Sequence, residues 1–211
     1  MTPTELNRTF TTLLNEKLKD TGFSKKRIRE LSRNTKECNQ SLRFNFSRDR
    51  GMPGNKYSLS ITMSFSFEIV DKLTSSFLGI EYEKDFGTGA EPLYTVVPNA
   101  TSLSYKYCSD DSLDHFAEMV ATDFRLYALD FYDRFDTLLK LDNYFSNRND
   151  DSFSVTRAGR CGGYGCCIAA VLCELANWNK LNSFLQETDL ITDEQKQRIN
   201  NHISKQVNLN P

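Results

Sequence analysis

Residues 57–68, YSLSITMSFSFE, alternate apolar and polar side chains without a break. The apolar positions are Tyr57, Leu59, Ile61, Met63, Phe65 and Phe67. Successive side chains of a β-strand point to opposite faces, so this run predicts one long strand with an apolar face and a hydroxyl face. A helical period of about 3.6 residues would scatter the same apolar side chains around the helix axis. The strand therefore predicts a sheet that other elements cover on its apolar face.

Local start signals and helical spacing predict helices on both sides of this strand. Thr2-Pro3-Thr4-Glu5 has the order of a capping box and leads into apolar residues at helical spacing, which predicts a helix over residues 3–21. One long apolar stripe predicts a central helix over residues 110–141. Towards the end of the chain, small residues and a second capping pair predict three shorter helices, at 165–175, at 180–187 and after Thr192.

The remaining patterns complete an α+β fold. Alternation over residues 42–47 predicts a second strand, which forms a hairpin with the first across a loop at 51–55. Weaker patterns predict a short helix at 68–79, a loop at 81–92 and short strands at 28–33, 93–97 and 103–107. We expect a mainly antiparallel sheet of about four or five strands, packed by the N-terminal helix and the long central helix. A polar stretch predicts a boundary between a sheet-and-helix domain, 1–148, and a C-terminal helical lobe, 149–211, packed on it as one unit.

Charge is distributed unevenly along the chain, although the net charge is only −2. Residues 1–60 carry 13 Lys and Arg against 6 Asp and Glu, whereas residues 109–151 carry 4 against 11. A nearly neutral chain has no overall attraction to nucleic acid or to a membrane. The two segments either neutralise each other in the fold or present opposite poles, and the sequence leaves both arrangements open.

Cysteine use predicts a cytoplasmic protein. The chain begins with neither the basic nor the apolar region of a signal peptide, and no apolar run approaches the length of a membrane span. Four of the six cysteines fall within residues 161–173, and adjacent Cys166 and Cys167 point in different directions on a helix. We therefore expect free thiols in a reducing compartment.

The most unusual local sequence is RAGRCGGYGCCIAAVLC, residues 157–173. Its glycines precede a predicted helix, where backbone N–H groups can bind an anion and a cysteine can act as a nucleophile, so a Cys-dependent enzyme is one alternative function. The spacing matches neither a dinucleotide-binding loop nor a P-loop, and it lacks the paired CxxC motifs of a zinc site. We expect a glycine loop before a tightly packed helix of small residues, and we assign no catalytic residue, metal or cofactor.

Two charged segments are candidate binding surfaces. Asp123 and Asp130 are seven residues apart and so share an edge of the predicted central helix, with Asp133 about one turn beyond. This edge is either a solvated flank or an acidic face that docks a basic partner protein. The basic segment 25–50 is a candidate for phosphate binding, but aromatic side chains are not interleaved with it as in single-strand binders. Nucleic-acid binding is therefore a further alternative and not the expected function.

The hydroxyl face of the 57–68 strand is the third candidate surface. Exposed sheet faces usually carry Lys or Glu among their small polar residues, which discourages unwanted association. This face carries neither, and its central positions are Ser60, Thr62 and Ser64. It is either covered loosely by a helix or free to form hydrogen bonds with a partner.

The order of the first 70 residues is an amphipathic helix, then GFSKKRIRELSR (22–33), then a one-faced hairpin. This order resembles small uncharacterised bacterial α+β proteins, some of which accompany polymorphic toxin systems as immunity proteins. The resemblance covers about a third of the chain and implies a protein that binds and blocks a toxin. The acidic helix edge adds the expectation that such a toxin has a basic active-site face, and the lack of an enzymatic signature favours a non-catalytic protein. It transfers no catalytic residue. A cytoplasmic binding protein of this kind is the expected function, and the sequence assigns no small-molecule ligand.

Overall fold

The computed structural model describes residues 2–48, 56–83, 87–147 and 163–209. The chain divides into two compact units that are discontinuous in sequence. The first unit comprises residues 1–64 and 91–134, and the second comprises 65–90 and 135–211. The domain boundary predicted at 148–149 and the predicted loop at 51–55 lie outside the described residues.

An antiparallel sheet with helices confirms the predicted α+β class. The described strands are β1 (Ser24–Arg27), β2 (Glu30–Asn34), β3 (Asn39–Arg48), β4 (Lys56–Ser66), β5 (Gly89–Pro92) and β6 (Lys106–Cys108). They are ordered β1-β2-β3-β4-β5, and β6 also pairs with β4. The strand predicted from alternation is β4, and all six of its predicted apolar side chains, through Phe67, are buried.

Helix α1 (Pro3–Lys17) covers the apolar face of the sheet in the first unit. Thr2 and Glu5 form the predicted capping box, and Gly22 adopts a left-handed conformation after a final 3₁₀ turn. The fully buried Phe10 ring makes edge-to-face contacts with Phe44 and Phe46 of β3, with centroids 5.2 and 5.1 Å away. This packing leaves the opposite, polar face of β3 to carry a site.

The predicted single helix over 110–141 is wrong, because a π-helical turn distorts it and a non-helical stretch at 134–137 breaks it. Helix α3 (Leu113–Asp123) continues through a π-helical turn (Phe124–Ala128) into α4 (Leu129–Asp133), and α5 (Leu138–Ser146) begins separately. Thr137 has an extended backbone and is the N-cap of α5, because its hydroxyl accepts a hydrogen bond from the Lys140 N–H.

The second unit contains most of the helices: α2 (Glu68–Leu78), α5, α6 (Tyr164–Glu174), α7 (Trp178–Glu187) and α8 (Asp193–Leu209). Its C-terminal helices match the prediction, including the capping pair Thr192 and Gln195. Helix α6 is buried on nearly all sides, as its small residues predict. A Cβ atom at Gly165 would lie 2.6 Å from Ile191, so the helix packs at a distance that only glycine allows.

Several weaker strand predictions are wrong in detail. The segment predicted as a strand at 93–97 forms a 3₁₀ turn (Leu93–Thr95), because the Thr95 hydroxyl donates a hydrogen bond to the Pro92 carbonyl at 2.7 Å and closes the turn. The predicted loop at 81–92 ends in strand β5, which was not predicted. The strand predicted at 28–33 corresponds to β2, and β1 is an additional strand before it. The strand predicted at 103–107 is shorter and lies later in the chain, as β6 (Lys106–Cys108).

Candidate functional site: a cationic cleft on the polar sheet face

The polar face of the sheet in the first unit is built by cross-strand register. Glu30 of β2 lies opposite Arg43 of β3, and Ser32 lies opposite Ser41. Directly opposed residues share a face, so these side chains lie on the side away from buried Leu42 and Phe44. Strand β4 contributes its hydroxyl residues to the same face.

A cleft of about 320 Å³ opens on this face. The β1–β2 turn forms one side of it, and β3 and β4 form the other. The lining residues are Arg27, Ile28, Arg29, Glu30, Arg43, Phe44, Asn45, Ser60 and Thr62. Three arginines and one carboxylate therefore line the described part of the cleft, which makes it cationic.

Glu30 organises the positive charges at the base of the cleft. Its side chain is only 2% exposed, yet it lies among three cations. The Arg27 Nε donates to Oε2 at 2.6 Å, the Lys26 Nζ lies 3.3 Å from Oε1 and the Arg43 Nε lies 3.6 Å from Oε2. A buried carboxylate needs such partners because removing its charge from water is costly. One carboxylate thus holds several cationic groups together.

Arg29 occupies the turn between β1 and β2 with a φ of 73°, a left-handed conformation that a side chain with a Cβ atom rarely adopts. Two backbone hydrogen bonds hold it there: its N–H donates to the Thr11 hydroxyl at 3.2 Å, and its carbonyl accepts from the Phe44 N–H at 3.0 Å. The side chain is exposed, and its guanidinium makes no ion pair within the residues that the structure describes.

The three predicted hydroxyl residues differ in their surroundings. Ser60 is exposed and its hydroxyl donates to the Asn45 carbonyl at 3.2 Å. Thr62 is half-buried and lines the cleft. The Ser64 hydroxyl lies 2.7 Å from that of Ser41, so this end of the face is already hydrogen-bonded within the unit. Ser60 and Thr62 are the positions that open towards the cleft.

The structure does not bring the three predicted aspartates together as one edge. The π-helical turn lies between Asp123 and Asp130, so the α-helical spacing that would align them is lost. Asp123 is half-buried and accepts a hydrogen bond from the Tyr105 hydroxyl at 3.0 Å, and Asp133 forms an ion pair with Arg33 at 3.2 Å. Burial and the Asp123 carboxylate raise the pKa of Tyr105. Asp130 is exposed.

Ion pairs within the first unit partly neutralise the two oppositely charged segments. The Lys17 Nζ lies 2.9 Å from Asp114 and 3.0 Å from Glu118, and these hydrogen bonds raise the pKa of Lys17. In a second ion pair the base comes from the acidic segment and the acid from the basic one: the Arg125 guanidinium lies 3.3 Å from the Asp20 carboxylate. These pairs do not involve the three arginines that line the cationic cleft, Arg27, Arg29 and Arg43.

The thiols of α6 are poorly suited to nucleophilic chemistry. Burial raises the pKa of Cys166 to about 11 and that of Cys173 to about 12, and it also raises the pKa of Cys167. A nucleophilic cysteine needs the opposite shift, towards the thiolate. The preceding residues 157–162, including Cys161, lie outside the described residues.

The described residues contain neither a metal-binding cluster nor a helix that could cross a membrane. In the described ranges, no group of three or more His, Cys, Asp or Glu side chains converges in a way that could hold a metal ion. None of the described helices combines the length and the apolar character needed to cross a lipid bilayer.

No protein-family model matches the chain, and comparisons with curated proteins and with solved structures give no significant match. The structure thus defines an α+β protein with a cationic cleft on the polar face of its sheet.

Sequence reasoning missed the central element of the site. The alternation over residues 42–47 predicts that Arg43 lies on the polar side of its strand, but Glu30 is not singled out and β1 is not predicted. A lone carboxylate directly after KKRIR was the available signal, because an acidic residue inside a basic run often pairs with its neighbours.

Proposed function

We propose that this chain is a non-catalytic, cytoplasmic binding protein that acts as an immunity protein, occluding the active site of a partner toxin. The observation that carries the proposal is the open polar face of β3 and β4 around the cationic cleft. Asn45, Ser47 and Ser60 are exposed there, and Thr62 and Arg43 are half-buried beside them. Small polar side chains and arginine adapt readily to a partner's hydrogen-bonding groups.

The same surface defines which part of the chain we expect to meet the partner. Asp123 and Asp133 already use their carboxylates to bind Tyr105 and Arg33, so of the three predicted aspartates only Asp130 has no side-chain partner among the described residues. We therefore propose contact through the polar sheet face in place of the acidic helix edge. Charge complementarity at such a face mainly increases the association rate and the specificity.

A cytoplasmic location is part of the proposal and is supported by the thiols. None of the five described cysteines forms a disulfide bond in the described part of the chain, and Cys108 is half-buried and so partly accessible to solvent. Free thiols persist in a reducing compartment. The first third of the chain resembles small bacterial α+β proteins, some of which are immunity proteins, and this resemblance supports the same class of function.

The test is complex formation with the products of the genes adjacent to this one, measured by native mass spectrometry. We expect one of these products to be toxic when expressed alone and to form a stable complex with the wild-type chain. The Ser60→Lys/Thr62→Lys variant should lose the complex and the protection, because two long side chains would fill the cleft that Ser60 and Thr62 line. Thr9→Lys/Thr122→Lys adds the same charge at exposed helical positions and should retain both. The absence of any complex with the wild-type chain would refute the proposal.

Nucleic-acid binding is the second candidate, favoured by one specific observation. Arg43 of β3 comes together with Arg27 and Arg29 of the β1–β2 region in a single cleft. Phosphate binding by such a group would weaken steeply with salt, because each neutralised phosphate releases counterions. Titration of a labelled single-stranded RNA and a DNA duplex at several salt concentrations distinguishes the candidates, since an immunity protein should bind neither with a steep salt dependence.

A further inference from the structure

The β1–β2 turn has an unusual feature for a structural loop. Its left-handed position is occupied by Arg29, where glycine or asparagine would be the residue of lowest strain. The turn itself needs only the backbone of this residue, which supplies the N–H bound by Thr11 and the carbonyl bound by Phe44. The long cationic side chain therefore adds nothing to the turn that glycine would not provide.

The position of the side chain indicates what it adds. Arg29 lines the cleft beside Arg27 and Arg43, and Glu30 is the one carboxylate among the described lining residues. Glu30 is almost completely buried, so it lies at the base and does not occupy the opening. Arg29 is exposed and lines a cleft that is already positive, and Ser60 and Thr62 line the same cleft.

An oxyanion is the ligand that fits this chemistry. A guanidinium presents parallel N–H donors that match the two oxygens of a carboxylate, and such charge-assisted pairs are stronger than neutral hydrogen bonds. The cleft volume of about 320 Å³ admits one or two side chains of a partner and is at the small end for a separate ligand pocket.

The surroundings favour a protein carboxylate over a nucleic acid. The only aromatic residue in the lining described here is Phe44, which is buried in the core, so no ring is available for a base to stack on.

We propose that the cleft binds a carboxylate from an acidic segment of the partner protein and that Arg29 forms the ion pair with this carboxylate. This inference rests on the proposed function, because it names the chemistry of the partner surface at the same sheet face. It changes the expectation drawn from the sequence, in which the partner surface was basic.

The test compares variants of Arg29 with a control that removes the same charge elsewhere. Arg29→Gly removes the side chain and relieves the left-handed strain, so it should fold at least as stably as the wild type in thermal unfolding. Arg29→Gln removes the charge and keeps the strain, and Arg29→Lys keeps the charge without the two-pronged geometry. Lys36→Gln is the control, because Lys36 is an exposed cation of the same basic segment that does not line the cleft.

The probe is a fluorescein-labelled Glu/Asp-rich peptide, measured by fluorescence anisotropy against its Gln/Asn counterpart and against a single-stranded oligonucleotide of equal charge. We expect the acidic peptide to bind the wild type, and we expect Arg29→Gly and Arg29→Gln to weaken it about tenfold or more, since a charge-assisted pair is lost. Arg29→Lys should fall between them and the wild type, and Lys36→Gln should bind normally.

Three outcomes would overturn the inference: no binding of the acidic peptide, equal binding by Arg29→Gly and the wild type, or tighter binding of the oligonucleotide than of the peptide. The proposed function is judged separately by the complex with a neighbouring gene product. If that complex forms and is unaffected by Arg29→Gly, the carboxylate inference fails and the immunity proposal stands.

Discussion

The second unit contains a buried carboxyl whose protonation should set how stability varies with pH. Asp71 lies in the first turn of α2, where it accepts hydrogen bonds from the Ser66 hydroxyl at 2.5 Å and the Thr88 hydroxyl at 2.7 Å. The Thr88 hydroxyl in turn accepts the Phe67 N–H at 2.8 Å. Burial outweighs these hydrogen bonds, and the nearby Glu68 adds to it, so the pKa of Asp71 is raised from 3.8 to about 6.

The direction and size of the effect follow from this shift in pKa. The folded chain binds the Asp71 proton more tightly than the unfolded chain does, so the protonated carboxyl stabilises the folded state. That contribution is fully present below pH 3.8 and is lost as the pH rises through about 6. A shift of about two pKa units corresponds to about 3 kcal/mol in the free energy of unfolding.

The assay is urea unfolding of the wild type and of Asp71→Asn across this pH range. Asparagine can accept from Thr88 through its oxygen and donate to Ser66 through its amide, so it keeps both contacts without titrating. The difference in unfolding free energy between the two chains should change by about 2–3 kcal/mol between about pH 4 and pH 7, with the variant gaining on the wild type as the pH rises.

Glu68→Gln is the matched control, since this exposed carboxyl lies in the same helical turn and should leave most of the pH dependence intact. Other carboxyls, such as Glu174, whose pKa is also raised by burial, contribute equally to all three chains and cancel in the comparison. If the pH profiles of the wild type and Asp71→Asn run parallel, Asp71 does not titrate as a buried group and the reasoning is refuted.

Three further predictions concern packing and reactivity. Gly79→Ala should cost about 1–3 kcal/mol in unfolding free energy, because φ at this residue is 72° and the new Cβ would lie 2.5 Å from the Arg198 guanidinium; an unchanged urea midpoint would contradict this. Tyr132→Phe should cost about 1–2 kcal/mol in the same assay, because the buried Ser41 carbonyl loses a hydrogen bond of 2.6 Å, and a neutral effect would mean that another donor replaces it. The three thiols of α6 should react with iodoacetamide more slowly than half-buried Cys108 in the native protein and equally fast in denaturant, as followed by mass spectrometry, because burial suppresses their thiolates.

The parts of the fold that the sequence predicted well are those with local causes. Strict alternation specifies β4 because a strand's side chains change face at every residue, and no distant contact is needed to read it. The capping pairs of Thr2 with Glu5 and of Thr192 with Gln195 fixed two helix starts for the same reason. These elements were confirmed close to their predicted bounds.

The interruption of the central helix could not be predicted from local pattern. The apolar stripe continues through Phe135 as though the helix did, so periodicity alone carries no sign of the break. The structure instead stacks the Phe135 ring on Phe65 at 4.8 Å, a contact between residues distant in sequence. Tertiary packing of this kind overrides helix propensity, which is worth well under about 1 kcal/mol per residue.

The binding surface was partly predictable for a related reason. Alternation placed Ser60, Thr62 and Arg43 on the polar side of their strands, and the structure confirms that placement. Which charged residues remain grouped depends on the pairing register, since Glu30 lies opposite Arg43 only because β2 and β3 align as they do. Segment charges alone therefore suggested an acidic contact surface.

The arrangement around Glu30 explains why a cationic cleft can persist in a protein whose net charge is slightly negative. Placing several cations close together is unfavourable unless a counter-charge lies among them, and the buried carboxylate of Glu30 supplies it from below. A counter-charge at the rim would have neutralised the opening as well. Because the Glu30 carboxylate is buried, it stabilises the cluster of cations and leaves the exposed Arg29 accessible to a partner. The left-handed strain of the β1–β2 turn therefore falls on a residue that faces solvent. A purely structural salt-bridge cluster would require neither the strain nor the exposed position.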